Sequence, residues 1–406
     1  MNETGKGFLK FSETRQLLPQ EEMLETLTPK KKFTIGIPKE TILNESRVSL
    51  VPDGINLLVE NGHTILVQRQ AGEKANFSDE DFASAGAVLV DEPTEIFKSD
   101  IIVKVAPPTL DELEMLEKNK VLLSSVYLPQ QKKIFFEKLL QKRTLALAYE
   151  YIQDRTGTFP VVHSMSEIVG NTAILIAAEY LSNPKIGRGI SLGGFPGIKP
   201  AEVVIIGAGT VAEYATRTAL GMGASVKIFD NSIYKLRAIQ NKLGTRLYTT
   251  VLQPKELEEA LIDANVVIAA KHSSTGRAAC FITEEMVKKM KPGAVIVDVS
   301  IDQGGCFETS RPTTHENPVY LEHDVIHYCV PNIASRVPHT ASWSLSNFLT
   351  PLLLNLGDVG GVTNYLKRDE AFSKGVYAFN GTLTNKQIGE KFNMRYHDFR
   401  LLLAAL

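Results

Sequence analysis

The sequence predicts an α/β protein of two doubly wound units with mainly parallel sheets and a cleft between them. Three observations predict it. Short β-branched runs alternate with helix-spaced segments along most of the 406 residues, and such alternation builds parallel sheets covered on both faces. The alternation breaks once, at the Gly/Pro-rich stretch Gly187–Gly197, and then begins again. Hydrophobic residues make up 44% and charged residues 22%, which excludes a disordered chain or a coiled-coil rod.

In chain order, residues 1–32 are mostly polar, with one amphipathic stretch around Met23, Leu24 and Leu27, and read as an extension: a tail or an arm packed on a neighbour. Phe33–Ile37, Thr64–Gln68, Ile101–Val105, Val121–Val126 and Leu145–Tyr149 read as strands. Gly54–Glu60, Ser78–Ala85, Leu110–Leu116 and Gln130–Lys142 read as the helices between them. A helical pattern from Met165 to Leu181 bridges the halves. The second alternation supplies strands at Val203–Ile206, Ser225–Phe229, Leu247–Val251, Asn265–Ala270, Ala294–Val299 and Val325–Val330. Beyond these, Ala341–Leu356 is helix-like, no further strand run stands out, and the tail is expected to return to the first half. The expected units are therefore the extension 1–32, a discontinuous catalytic unit of 33–160 plus 338–406, and a nucleotide-binding unit of 161–337.

Lys plus Arg number 44 and Asp plus Glu 46, a net charge of −2, which gives no electrostatic grip on nucleic acid or anionic lipid. The three cysteines, Cys280, Cys306 and Cys329, have neither disulfide-framework nor metal-pair spacing, and no metal is expected. No long uninterrupted apolar run or secretory signal is visible, so the expectation is a soluble cytoplasmic protein without a membrane span.

The run Val203-Val-Ile-Ile-Gly207-Ala-Gly209-Thr-Val-Ala212 joins a buried strand, a glycine turn and a helix start, and makes the second unit Rossmann-like. Gly207 permits the turn, Gly209 lets a pyrophosphate approach the backbone, and Ala212 lets helix and strand pack closely. The next strand ends in Asp230, placed to accept hydrogen bonds from the adenosine ribose. Its charge would face the extra phosphate of NADP, so the expected cofactor is NAD.

Together with Ile35-Gly-Ile-Pro-Lys-Glu-Thr41, Asn44-Glu-Ser-Arg47-Val, Met165-Ser-Glu-Ile-Val-Gly170, Gly193-Gly-Phe-Pro-Gly197 and Lys291-Pro-Gly-Ala294, this motif resembles the alanine dehydrogenase and transhydrogenase NAD-subunit superfamily. The stretch Val297–Thr314, with Asp302-Gln-Gly-Gly-Cys306 inside it, is similar to alanine dehydrogenase specifically. The resemblance implies two Rossmann-like domains, reversible NAD-dependent deamination of L-alanine to pyruvate and ammonium, and a homo-oligomer, commonly a hexamer. It implies Arg47 as the carboxylate anchor, whose guanidinium fork suits two parallel hydrogen bonds. It implies Asp302 as the catalytic aspartate, and Ser166 and Asn332 as cofactor contacts.

Two positions depart from the family pattern. Its second lysine after Lys104-Val105 is Ala106 here, and its catalytic histidine is Tyr127. Lys104 is a candidate to reach the pocket from one step lower, and Tyr127 to donate a phenolic hydrogen bond. Lys271 and His272, just past a strand on the cofactor side, are candidates to supply a cation and a base. An NAD(H)-binding homologue that has lost catalysis and a transhydrogenase NAD(H) subunit are the alternatives.

Overall fold

The computed structural model describes residues 30–271 and 282–404. Most of the extension expected over 1–32, and His272, lie outside the described residues.

The strands in chain order are β1 Thr34–Ile37, β2 Thr64–Gln68, β3 Val88–Val90, β4 Ile101–Val103, β5 Val121–Ser124, β6 Leu145–Ala148, β7 Glu202–Ile206, β8 Ser225–Phe229, β9 Tyr248–Thr250, β10 Val266–Ala269, β11 Val295–Asp298, β12 Val319–Glu322, β13 Val325–Tyr328, β14 Val376–Phe379 and β15 Thr382–Leu383. They form two sheets, an eight-stranded one in the order β15-β14-β6-β5-β4-β1-β2-β3 and a seven-stranded one in the order β12-β13-β11-β10-β7-β8-β9. Pairing is parallel throughout except at β14, β15 and β12, which run antiparallel at the ends of the sheets. Helices cover both faces, so the central strands are apolar on both sides: every residue of β6, β10, β11 and β13 is buried.

The sequence gives no sign of β14 and β15. They span four and two residues, and β14 joins the sheet by pairing with β6 from more than two hundred residues upstream, which no local pattern announces. The edge strands β3 and β12 escape the sequence reading as well.

Two long helices tie the molecule together. Pro160–Ser182 starts earlier than its apolar spacing suggests, because Pro160 stands at its first turn, where a missing N–H costs nothing. Its length and composition would let it cross a membrane, but Ala173, Ile174, Ile176, Ala177 and Leu181 are spent in the core of the second unit. Gly170 allows a close crossing with helix Thr210–Gly221: a Cβ there would stand 2.4 Å from the Val211 carbonyl oxygen. Helix Pro338–Asp358 packs on helix Pro52–Glu60, where a Cβ on Gly54 would meet Thr350 Oγ1 at 2.4 Å. Its hydroxyls also satisfy buried backbone amides of the first unit, Ser342 Oγ accepting from Val48 N at 2.9 Å and Ser346 Oγ from Val51 N at 3.2 Å. The two long helices hydrogen-bond to one another through Ser164 and Ser344.

Candidate active site

A cleft of about 360 Å³ opens where the carboxyl ends of the two sheets face each other, the place where open parallel sheets bind ligands. Tyr127 follows β5, Tyr149 and Glu150 follow β6, Asp302 follows β11 and Asn332 follows β13, and all line it together with Arg47, Met165 and Ser166.

Arg47 is 6% exposed and holds Glu45, itself 2% exposed, in a two-pronged pair: Nε to Oε1 at 2.8 Å and Nη2 to Oε2 at 2.6 Å. Asn332 Nδ2 donates to the same carboxylate at 2.9 Å and Ser335 Oγ at 3.3 Å, so Glu45 joins the first unit to the segment after β13. Burial opposes both charges. The Glu45 carboxylate nevertheless holds Arg47 protonated well above its usual range, and Arg47 with Asn332 holds the Glu45 carboxyl below its own. Among the described residues, Nη1 meets only the Met165 sulfur, at 3.4 Å, a weak acceptor. That edge of the guanidinium is the one open to a substrate carboxylate.

Tyr127 sits at a left-handed backbone position with φ 44°, as the cap of a short helical turn. Its hydroxyl accepts from Arg47 Nη2 at 3.0 Å and donates to Glu45 Oε2 at 3.4 Å. Burial pushes the phenol far above its usual range, so it serves as a fixed hydrogen-bonding group and not as a proton shuttle near neutrality. Lys104 corrects the expectation that it reaches the pocket. It is fully buried beneath the sheet end, its ammonium 3.0 Å from Glu112 Oε1 and 3.3 Å from Glu40 Oε2. Burial opposes its charge, but the two carboxylates hold it protonated above the usual range. A buried triad of this kind is broken only at high cost. Ala106 is buried as well and brings no cation.

On the second unit, Gly207 has φ 112° and a Cβ there would stand 2.4 Å from the Ala270 carbonyl oxygen. Nothing lies within 4 Å of the Cβ position of Gly209, which caps helix Thr210–Gly221 without any side-chain hydrogen bond. Open space before uncapped helix amides is a cradle for a pyrophosphate, so the residues present fit NAD. Ala212 is fully buried against the sheet. Asp230 is tied to the turn, Oδ2 accepting from Ala208 N at 3.0 Å and Oδ1 from Ser232 N at 2.7 Å. Lys271 stands on the adenosine side, its ammonium 3.6 Å from Asp230 Oδ2. Lys271 is thus not among the residues that line the cleft, and His272, the base candidate, lies outside the described residues. Ser166 lies within helix Pro160–Ser182, not at its cap, and its hydroxyl donates to the Val162 carbonyl at 2.7 Å.

Asp302 is exposed on the turn Val299–Gln303, which Gly304 ends at φ 101°. The buried Asp298 fixes that turn by accepting from Ser300 N at 3.1 Å, Cys306 N at 2.9 Å and Ser310 Oγ at 2.6 Å.

Residues 36–169 match the alanine dehydrogenase/PNT N-terminal domain and residues 173–386 its C-terminal domain. The chain belongs to the alanine dehydrogenase/PNT family. Alanine dehydrogenase of Staphylococcus saprophyticus subsp. saprophyticus is 39% identical over 91% of this chain and 99% of its own length. That of Mycolicibacterium smegmatis is 38% identical over 91% and 100%. A solved L-alanine dehydrogenase superposes with a TM-score of 0.83 at 35% identity, covering 89% of this chain and 99% of that one. A transhydrogenase from Sinorhizobium meliloti shares the fold, with a TM-score of 0.74 at 20% identity over 87% and 99%.

Within the alanine dehydrogenase/PNT framework, three side chains of the cleft region carry no sequence signal of their own. Glu45 and Asp298 lie inside stretches that resemble the family and Glu150 outside them, but only the fold shows what each carboxylate holds. A small clue exists for Glu45, two residues before Arg47, since side chains two apart in extended chain share a face.

Proposed function

We propose that this chain is an NAD-dependent amino-acid dehydrogenase that converts L-alanine, NAD and water to pyruvate, ammonium and NADH, reversibly. The observation that carries the reading is that Arg47 from one unit and Asp302 from the other line a single cleft, next to the uncapped helix behind Gly209. The names of relatives that match over nine tenths of the chain support it.

The Gly207–Gly209 turn, Ala212, Asp230 and Ser166, with Lys271 and Asn332, would hold NAD, which when bound would supply a two-electron acceptor for the substrate C–H bond. Arg47 Nη1 anchors the substrate carboxylate. Glu45 keeps the guanidinium in place, so the anchor does not have to be organised when substrate arrives. The Asp302 carboxylate favours the positive charge of the iminium formed on the substrate carbon. Val161, Val169, Val211, Val299 and Ile333 exclude water from that region. Arg47 is the sole cation among the described residues that line the cleft, so small monocarboxylates suit it.

Oxidation of NADH in the presence of ammonium and a panel of 2-oxo acids tests the reading. Turnover with pyruvate supports it; turnover only with another 2-oxo acid moves the substrate; none at all rejects the enzyme. A second reading, an NAD(H)-binding homologue without turnover, is favoured by Tyr127 and Ala106, neither of which shuttles protons. It predicts NAD binding by calorimetry with no turnover. The family reading also makes the protein a soluble cytoplasmic homo-oligomer, hexameric by resemblance, which sedimentation of the full chain checks.

A further inference from the structure

The reaction passes protons between water, nitrogen and solvent, and the histidine that the family resemblance assigns to this work is Tyr127 here. Among the described titratable side chains lining the cleft, Arg47 is committed to Glu45, Asp302 is the carboxylate placed against the iminium charge, and the phenols of half-buried Tyr127 and buried Tyr149 are pushed far up. Glu150 is different. It stands on the turn after β6, its Oε1 accepts from the backbone N–H of Val126 at 2.7 Å and of Tyr127 at 3.3 Å, and its buried Oε2 has no hydrogen-bond partner among the described residues. A buried acceptor left without a partner is costly, and it is retained here at the wall of a reaction cleft, one strand end from Tyr127.

We propose that Glu150 is the acid/base residue of this enzyme, passing a proton between water and the substrate nitrogen in place of the histidine replaced by Tyr127. The proposal rests on the dehydrogenase reading above. In the hydrolytic half, water oxygen bonds to the iminium carbon and the C=N electron pair moves to nitrogen. One water proton passes to the Glu150 carboxylate, leaving a neutral carbinolamine. Glu150 then returns that proton to the nitrogen, the C–N bond breaks as the C=O bond forms, and the hydroxyl proton leaves with ammonia as ammonium. The carboxylate ends as it began.

The titration of Glu150 supports this assignment. Burial raises its carboxyl to about 7, opposed only by backbone N–H groups, and an acid/base group works best when its pKa lies near the operating pH. The groups that face it are the phenols of Tyr127, Tyr149, Tyr151 and Tyr377, all raised and uncharged near neutrality.

The test is Glu150→Gln in the full chain, with Glu150→Asp as its conservative companion. Gln keeps an oxygen for the Val126 and Tyr127 amides but cannot carry a proton. The wild type is expected to show a kcat limb near pH 7 for pyruvate and ammonium, and an infrared carboxyl band that titrates at the same pH without cofactor. In the Gln variant the limb and the band disappear and kcat falls by roughly 10²–10⁴-fold, the usual worth of such a group. NAD affinity by calorimetry stays the same, and the Asp variant keeps the limb with part of the rate. Wild-type turnover with an unchanged limb in the Gln variant overturns the proposal and leaves the dehydrogenase reading standing. No wild-type turnover with any 2-oxo acid overturns the dehydrogenase reading, and the role of Glu150 falls with it.

Discussion

Arg47→Lys separates the two tasks that the guanidinium performs at once. Nε and Nη2 are occupied by Glu45 at 2.8 and 2.6 Å, Nη2 also reaches Tyr127 at 3.0 Å, and Nη1 remains for the substrate. A lysine ammonium is a single point charge on a flexible stem. Drawn to the buried Glu45 carboxylate, it leaves the substrate without its charge-assisted bond, a loss of about 1.5–3 kcal/mol. At 1.4 kcal/mol per factor of ten, this is roughly a 10- to 100-fold fall in kcat/KM. Because the carboxylate is gripped in ground and transition states alike, most of the loss belongs in KM for pyruvate. Steady-state NADH oxidation over a pyruvate series measures it, with NAD affinity by calorimetry as the control. A KM within twofold of wild type would refute the reasoning, since Arg47 would then not be the anchor.

Three more variants probe other parts of the structure. Glu45→Gln leaves a buried guanidinium without its counter-charge and is expected to destabilise the fold by about 3–5 kcal/mol in urea; a loss under about 1 kcal/mol would contradict the pairing described. Because folding lowers the Glu45 pKa, its contribution is present above the unfolded value of ~4.3 and is lost as the pH falls through the folded one. The wild-type advantage over Glu45→Gln should therefore shrink in acid, and a constant difference across pH would count against it. Gly170→Ala places a Cβ against the Val211 carbonyl oxygen and is expected to cost about 1–3 kcal/mol through overpacking, with thermal unfolding as the readout; an unchanged midpoint would mean that the helix crossing is looser than described. Asp230→Asn removes the charge that faces the ribose and should lower the NAD-to-NADP affinity ratio about tenfold or more, measured by calorimetry with each cofactor; an unchanged ratio would assign the discrimination elsewhere.

The parts of the fold legible in the sequence are those where a local pattern suffices. Val203–Ile206 and Val295–Val297 are apolar runs because both sheet faces are covered, and Gly207, at φ 112° with no room for a Cβ, marks a turn that no other residue type would build as well. Arg47 and Asp302 were legible because longer motifs surround them. What escaped depends on distant partners. Strand β14 is stabilised by its pairing with β6, and nothing within Val376–Phe379 announces that pairing. Lys104 was misplaced because alternation along a strand offers two faces and does not say that Glu40 and Glu112 wait on one of them. Glu45 gains its meaning from Asn332 and Ser335, nearly three hundred residues away. Glu150 gains its own from burial, which single-residue reading does not supply.

The central claim is that one cleft joins substrate anchoring on the first unit to cofactor binding on the second. A crystal structure of the full chain with NADH and pyruvate tests it most directly. The account predicts the pyruvate carboxylate on Arg47 Nη1, Glu150 and Asp302 flanking the carbonyl carbon, and the pyrophosphate over Gly209. Pyruvate bound away from Arg47, or a cofactor that leaves the Gly207–Gly209 turn empty, would contradict it.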